Sequence, residues 1–321
     1  MPTACINQHD CRVSLKSERL EVFGRNVETQ RDEVLREIPI RDLDRLIITE
    51  SVQVTSHALA ALLRAAIPVN VLGWNGDFLG GFLPAVNAHG LARLCQYRQT
   101  LEPSFVLQMA GRIVAAKLYN QRRVLQRVAA SRAELPEVKA ALIWMDSLFA
   151  SLQQAGNVDE LRGYEGASTA RYFQAWAAFL PGNFPFERRS KRPPLNPVNA
   201  CISFGATLVY TEMVAYIHAH GLDPALGLLH ATEDGRWSLA LDLFSHQILN
   251  EKHFEPKNGG VYLNEEGRKK FILQYERRME RQFLSESAGH RTTLRQQLEN
   301  QAVMFKSALE KRDAFEPFLI N

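Results

Sequence analysis

The stretch LDRLIITESVQVTSHALAALLRAAIPVNVLGW, residues 43–74, decides the fold of the first part of the chain. It places a β-branched apolar run, LIIT, ahead of SHALAALLRAA (56–66) and a second apolar run, VNVL, after it. Short β-branched runs predict strands, and apolar positions recurring every three or four residues predict a helix between them. Ser56 stands where the helix would take its N-cap. Upstream, RVSLKSERLEVF (12–23) and EVLREIPI (33–40) alternate in the strand period, and downstream Asn75-Gly76 in WNGDFLGGF is a hairpin signal. Residues 1–88 are therefore expected to form a β-rich domain of strands plus one helix.

Beyond Pro84 the period changes. SFVLQMAGRIVAAKLYNQRRVLQRVAA (104–130) and the segments after it repeat their apolar residues at helical spacing. A larger all-α domain over residues 89–321 is expected, broken by FPFERRSKRPPLNPVNA (184–200), too rich in proline for a helix, and by GGVYL (259–263). The fold class is α+β, with the small β-rich domain first and the helical domain carrying the chemistry.

Composition narrows the function without choosing it. With 46% hydrophobic and 23% charged residues, the chain is neither disordered nor fibrous. A formal charge of +3 permits a polyanionic partner but does not demand one. Cys5, Cys11, Cys95 and Cys201 form no CxxC pair, which argues against a disulfide scaffold and for a reducing cytoplasm. The N-terminus lacks a basic segment followed by an apolar run, and no apolar stretch reads as long enough to span a bilayer, so a soluble cytoplasmic protein with no membrane association is expected.

Three clusters could carry chemistry. In GYEGASTARYF (163–173), Glu165 sits between glycines, and it reads as the start of a helix. Such a carboxylate can approach a ligand closely; it is equally the first-turn acid that a helix dipole favours. In GLLHATEDGRWSLALDLFSH (227–246), His230 precedes a short loop, and helical spacing groups Leu239, Asp242, Ser245 and His246 on one side. One Glu, one His and one Asp would suit Mg²⁺ or Mn²⁺ better than structural zinc. A hydrogen-bonded histidine and a salt-bridged aspartate fit the same residues. The third cluster is Arg188, Arg189, Lys191 and Arg192 between Phe184, Phe186 and Pro193. It is either a solvated loop or a phosphate contact, the latter supported by Lys117, Arg122, Arg123 and Arg127 on the long helix.

Taken together these segments resemble the CRISPR-associated protein one family, the integrases that insert new spacers into a CRISPR array. The resemblance runs through LREIPIRDLDRLIITESVQVTSHALAALLRAAIPVNVLGWNGDFLGGFLPA (35–85), AKLYNQR (116–122), LRGYEGASTARYF (161–173), SKRPPLNPVNACISFGATLVYTEM (190–213), GLDPALGLLHATEDGRWSLALDL (221–243) and GGVYLNEEGRKKF (259–271), in the family's order. It implies a metal-dependent DNA endonuclease and integrase in which Glu165 and His230 bind Mg²⁺ or Mn²⁺, with Asp242 as the third candidate. It also implies double-stranded DNA as substrate, a homodimer, and a small CRISPR-associated protein two in a heterohexamer-like complex. Lys117, the basic run and Asn199 fall at family positions near the DNA path or the metal, as does Ser203.

One departure matters. The family has an acid one helical turn after the LALDL aspartate, where this chain has Ser245. Further helical turns usually follow before GGVYL, whereas here LALDLFSHQILNEKHF runs almost directly into it. The expectation is an internal deletion after residue 242. Two readings follow: an active integrase, with Asp242 or His246 substituting as ligand, or a catalytically impaired DNA-binding relative. A metal-dependent hydrolase of another substrate is disfavoured because the resemblance extends through the β-rich domain.

Overall fold

The computed structural model describes residues 3–6, 10–25, 32–73, 78–85, 89–130, 135–180, 182, 184–231, 237–242, 254–257, 260–285, 289–311 and 315–320. The chain divides into two units, one of Met1–Ala88 with Leu249–Lys257 and Tyr262–Arg278, the other of His89–Ile248 with Asn258–Val261 and Met279–Asn321.

In the N-terminal segment of the first unit the strands are β1 (Thr3–Ile6), β2 (Arg12–Lys16), β3 (Arg19–Arg25), β4 (Asp32–Pro39), β5 (Arg45–Thr49), β6 (Gln53–Val54), β7 (Val69–Leu72) and β8 (Phe78–Phe82), with helix α1 (Ser56–Arg64) between β6 and β7. They form two four-stranded sheets, ordered β1-β5-β7-β8 and β4-β3-β2-β6. β5 runs parallel to both neighbours, Ile47 facing Cys5 on one side and Asn70 on the other. Every residue of β5 is buried, as expected of a parallel strand covered on both faces. Parallel pairing of β5 and β7 needs a crossover, which α1 supplies, burying Ala58 and Leu62 one turn apart. Its cap is Thr55, one residue before the expected Ser56: the Thr55 hydroxyl accepts from Ala58 N at 3.3 Å. The core collects Val13, Leu20, Leu46, Leu62 and Val69, all fully buried, each worth roughly 1.5–3 kcal/mol of transfer free energy. The Asn75-Gly76 hairpin lies outside the described residues.

The remaining elements are α2 (Gly90–Thr100), α3 (Pro103–Ala130), α4 (Pro136–Leu152), α5 (Val158–Ala177), α6 (Pro197–Ala219), α7 (Ser238–Asp242), β9 (Phe254–Lys257), β10 (Gly260–Leu263), α8 (Glu265–Glu280), β11 (Phe283–Ser285), β12 (His290–Thr292) and α9 (Leu294–Lys311). Helices α3, α4 and α5 pack on one another, and α6 packs against α7 and α9. Met109, Leu118, Leu125, Met145, Leu161, Leu208 and Phe305 are buried almost completely at these seams. The region is less purely helical than expected. β9 pairs with β10, and β11 with β12, Phe283 opposite Thr292, beside Gly289 at a φ of 70°. These three- and four-residue strands are too short to raise a period-2 signal above their helical flanks.

A second correction concerns apolar length. α6 is 23 residues long and apolar enough to cross a membrane, although no stretch was expected to be. It is a core helix by its surroundings, since 56% of its most apolar window is buried inside the protein. All four cysteines are free, and burial pushes the Cys5 and Cys201 thiols up to about 12, which keeps them unreactive.

A carboxylate and a histidine as a candidate metal and DNA site

Glu165 does not open a helix. α5 begins at Val158, where the Asn157 side chain accepts from Glu160 N at 2.9 Å and the Glu160 carboxylate returns to Gly156 N at 2.9 Å. This reciprocal cap uses the first-turn acid Glu160, while Asp159 pairs with Arg162, and it leaves Glu165 two turns inside, facing α3. The flanking Gly163 and Gly166 have open space where a Cβ would stand, so they keep the approach to Glu165 uncluttered.

Two helical rows of polar side chains meet there. Lys117 on α3 pairs with Glu165 Oε1, and the Thr169 hydroxyl, one turn beyond Glu165, donates to the same oxygen at 3.2 Å. Gln121, one turn beyond Lys117, donates from Nε2 to Thr169 Oγ1 at 3.1 Å and accepts from Ser168 Oγ at 2.6 Å. Burial works to raise the Glu165 carboxyl, but the Lys117 ammonium, the hydrogen bonds from Lys117 and Thr169 and the His230 ring together hold it below its ordinary value. The last influence places His230 within electrostatic range of Glu165.

His230 lies at the end of a tight loop after α6. Arg162, one turn before Glu165, donates from Nε to Leu229 O at 2.6 Å and so ties α5 to that loop. Asp242, whose side chain is wholly buried, closes it from behind. Its Oδ2 accepts from Leu228 N at 2.6 Å and Leu229 N at 3.0 Å; its Oδ1 accepts from His230 N at 3.0 Å and meets His230 Nδ1 at 2.6 Å. An ionised carboxylate can only accept, so Nδ1 carries a proton, and in the neutral ring the lone pair stands on Nε2. Gly227 makes the turn possible, because a Cβ there would stand 2.5 Å from both His230 O and Ser238 Cβ.

The expected site residues therefore separate. Arg162 ties the helix of Glu165 to the loop of His230, whereas both Asp242 oxygens accept hydrogen bonds from that loop and its histidine. Ser245 and His246 lie outside the described residues. Among the described residues, no three His, Cys, Asp or Glu side chains gather as a metal-holding group.

The basic run also divides. Arg188, Lys191 and Arg192 are exposed. Arg189 is half-buried, and its guanidinium donates to Asn199 Oδ1 at 3.0 Å, to Ser203 Oγ at 2.9 Å and to Ser190 O. Burial draws its pKa down to about 10. Asn199 is fully buried: Oδ1 also accepts from Ser190 N at 2.9 Å, and Nδ2 donates to Arg188 O at 2.9 Å. It moors the basic loop to the first turn of α6, where Asn196 provides the cap, accepting from Asn199 N at 2.8 Å. Gln121, Thr169 and Arg162 were not singled out from the sequence, although AKLYNQR and RGYEGAST set them at one-turn spacings from Lys117 and Glu165.

The family model described as CRISPR associated protein Cas1 matches residues 4–246, ending inside the stretch where the deletion is expected. A CRISPR-associated endonuclease Cas1 of Thermodesulfovibrio yellowstonii is 31% identical over 308 residues, covering 88% of this chain and 92% of its own. That alignment is longer than the part of this chain it uses, so the relative has residues for which this chain has none. A casposase bound to integration product superposes with a TM-score of 0.83 at 19% identity, over 98% of this chain and 92% of its own. A Cas6-RT-Cas1–Cas2 complex superposes with a TM-score of 0.79 at 21% identity, over 99% of this chain and 36% of the larger one. With a family match over most of its length and a relative of this identity, the chain belongs to the CRISPR associated protein Cas1 family.

Proposed function

We propose that the protein is a cytoplasmic, divalent-metal-dependent DNA endonuclease and integrase of CRISPR adaptation. It joins the 3′-hydroxyl of a spacer-precursor duplex to the border of a CRISPR repeat. The observation that carries this reading is that a carboxylate kept anionic, Glu165, stands on a helix tied through Arg162 to the loop of His230, whose Nδ1 meets Asp242. Family membership gives the pair its chemical context.

The residues fit a hard cation. Glu165 Oε2 takes no hydrogen bond among the described residues, and His230 Nε2 is the free ring nitrogen. One carboxylate and one imidazole suit Mg²⁺ or Mn²⁺, with water and phosphate oxygens completing the shell. When bound, the cation supplies Lewis-acid charge that favours ionisation of the 3′-hydroxyl and offsets charge on the scissile phosphate. The protein's own part is to hold that geometry. Asp242 fixes the imidazole tautomer, Lys117 balances the half-buried carboxylate, and the Arg188, Lys191 and Arg192 loop holds the DNA backbone. As one P–O bond forms to the attacking 3′-oxygen, another breaks to the displaced one, so the DNA needs no external energy source.

Likeness to the family extends the proposal to a homodimer through the β-rich domain of residues 1–88. A small CRISPR-associated protein two would complete a heterohexamer-like complex, consistent with the Cas2-containing assembly among the structural neighbours. The deciding assay mixes short duplexes with a repeat-containing plasmid. Covalent joining is expected with Mn²⁺ and none after chelation; no joining under any metal would leave the second reading, a DNA-binding relative.

Ser245 favours keeping that second reading. Hard-cation affinity follows the number of charged oxygen ligands. Ser245→Glu is expected to raise Mn²⁺ affinity and joining rate by about tenfold or more. An unchanged rate would show that the shortened chain does not draw on position 245.

Replacing Arg188, Lys191 and Arg192 together by alanine is expected to weaken binding to all duplexes alike. The log–log salt slope should become shallower by about 0.9 for each phosphate no longer neutralised. Unaltered slope and affinity would place the DNA elsewhere.

A further inference from the structure

We infer that Gln121 is a positioning residue for the Glu165 carboxylate, acting through Thr169 as the middle of a directional hydrogen-bond chain that clamps Oε1 and leaves Oε2 to a divalent cation. The inference rests on Glu165 being a metal ligand, as proposed for the site. Its basis is the direction of each bond. Ser168, 2% exposed, gives its proton to Gln121 Oε1. The amide then has its Nε2 side turned to Thr169 Oγ1, which accepts and has one proton left to give. That proton goes to Glu165 Oε1. Each proton in the chain is used once: the Thr169 hydroxyl cannot turn its proton toward Gln121 Nε2 without setting two donors face to face, which favours its donation to Glu165 Oε1.

The spacing is built into the two helices. Lys117 and Gln121 are one turn apart on α3, and Glu165 and Thr169 are one turn apart on α5, so two rungs bridge the same seam. The Lys117 rung is ionic and flexible, a single ammonium at the end of a long side chain. The Gln121 rung is neutral and has a defined direction. It therefore determines the rotation of the carboxylate, while Lys117 balances its charge. The neighbouring Asn120 points the other way. Its side chain donates to Phe318 O at 2.9 Å and accepts from Ile320 N at 2.8 Å, holding the 315–320 segment on α3. Adjacent amides of one motif thus serve different faces of the helix.

The test compares Gln121→Leu, Thr169→Val and Thr169→Ser in the full chain, with Mn²⁺ as the probe. Binding is read from loss of the free-ion electron paramagnetic resonance signal, and thermal melts are recorded without metal. Partners behind metal ligands typically govern affinity by about tenfold or more. Gln121→Leu and Thr169→Val are expected to lose that much, while Thr169→Ser, which keeps the hydroxyl, stays within about twofold. Wild-type affinity in Gln121→Leu and Thr169→Val would overturn the proposal. So would equal losses in Thr169→Ser and Thr169→Val, since a packing role is blind to the hydroxyl. Should Gln121→Leu fail to fold, the Thr169 pair decides alone. If the wild type does not bind Mn²⁺, or if Glu165→Gln leaves binding intact, the metal reading itself falls and takes this inference with it. If Glu165→Gln abolishes binding while Thr169→Val does not, only this inference falls.

Discussion

Asp242→Asn melts at a lower temperature than the wild type even with no metal present: that is the expected result of a side chain whose two oxygens serve four donors. The substitution conserves shape. It replaces one acceptor oxygen by an NH₂ group, which then faces at least one of Leu228 N, Leu229 N, His230 N or the His230 ring. Stranding buried donors and removing the charge they surround should cost about 3–5 kcal/mol. Spread over the helical unit, the loss corresponds to a fall in Tm of roughly 10 °C. Mn²⁺ affinity should fall as well, because the imidazole loses the partner that selects its tautomer. The measurement is a thermal melt in chelator. A wild-type Tm combined with weakened Mn²⁺ binding would return Asp242 to a ligand role.

Glu165→Gln should have the larger effect on chemistry and the smaller one on stability. It keeps the volume between α3 and α5 but removes the negative charge that pairs with Lys117 and would face the cation. Metal assistance worth several kcal/mol corresponds to roughly a thousandfold or more in rate, so strand joining should drop below detection. The acid limb of the stability profile should change too. The wild-type carboxyl titrates below its ordinary value of 4.5, despite burial, because Lys117, Thr169 and His230 favour the charged form. Its stabilising contribution is full above that ordinary value and is lost as pH falls through the lower folded value. Glu165→Gln should show a flatter decline over that acid window. Joining activity retained by Glu165→Gln would remove Glu165 from the centre of the mechanism.

The strand-helix-strand unit was legible because β5 and β7 are continuous apolar runs and α1 is strictly periodic. Only its cap shifted, from Ser56 to Thr55. The short β11 and β12 were not legible, since their pairing depends on chain reversal near Gly289 rather than on any period of their own. At the site, Glu165 and His230 were visible as motif residues. Asp242 was visible as a residue, but its hydrogen bonds to the loop were not: a carboxylate that faces a cation and one that faces backbone amides have the same spacing in SLALDL. What separates them is the fold of 227–230 back onto α7, a tertiary fact. Asn199 shows the same limit. The resemblance set it near the metal and DNA, while its burial and three side-chain hydrogen bonds, which moor the basic loop, depend on the fold. Gln121 and Thr169 were hidden for a simpler reason, that neutral polar residues on helices carry no signal until the partner helix is known.

Gly227 has no side chain to offer DNA or a cation, yet a screen of random substitutions would score it as if it had one. Any side chain there collides with the carbonyl of His230 and with Ser238. The position can therefore change in a lineage only alongside compensating change at 238 or in the path of the loop, and its invariance among active relatives would record crowding rather than catalysis.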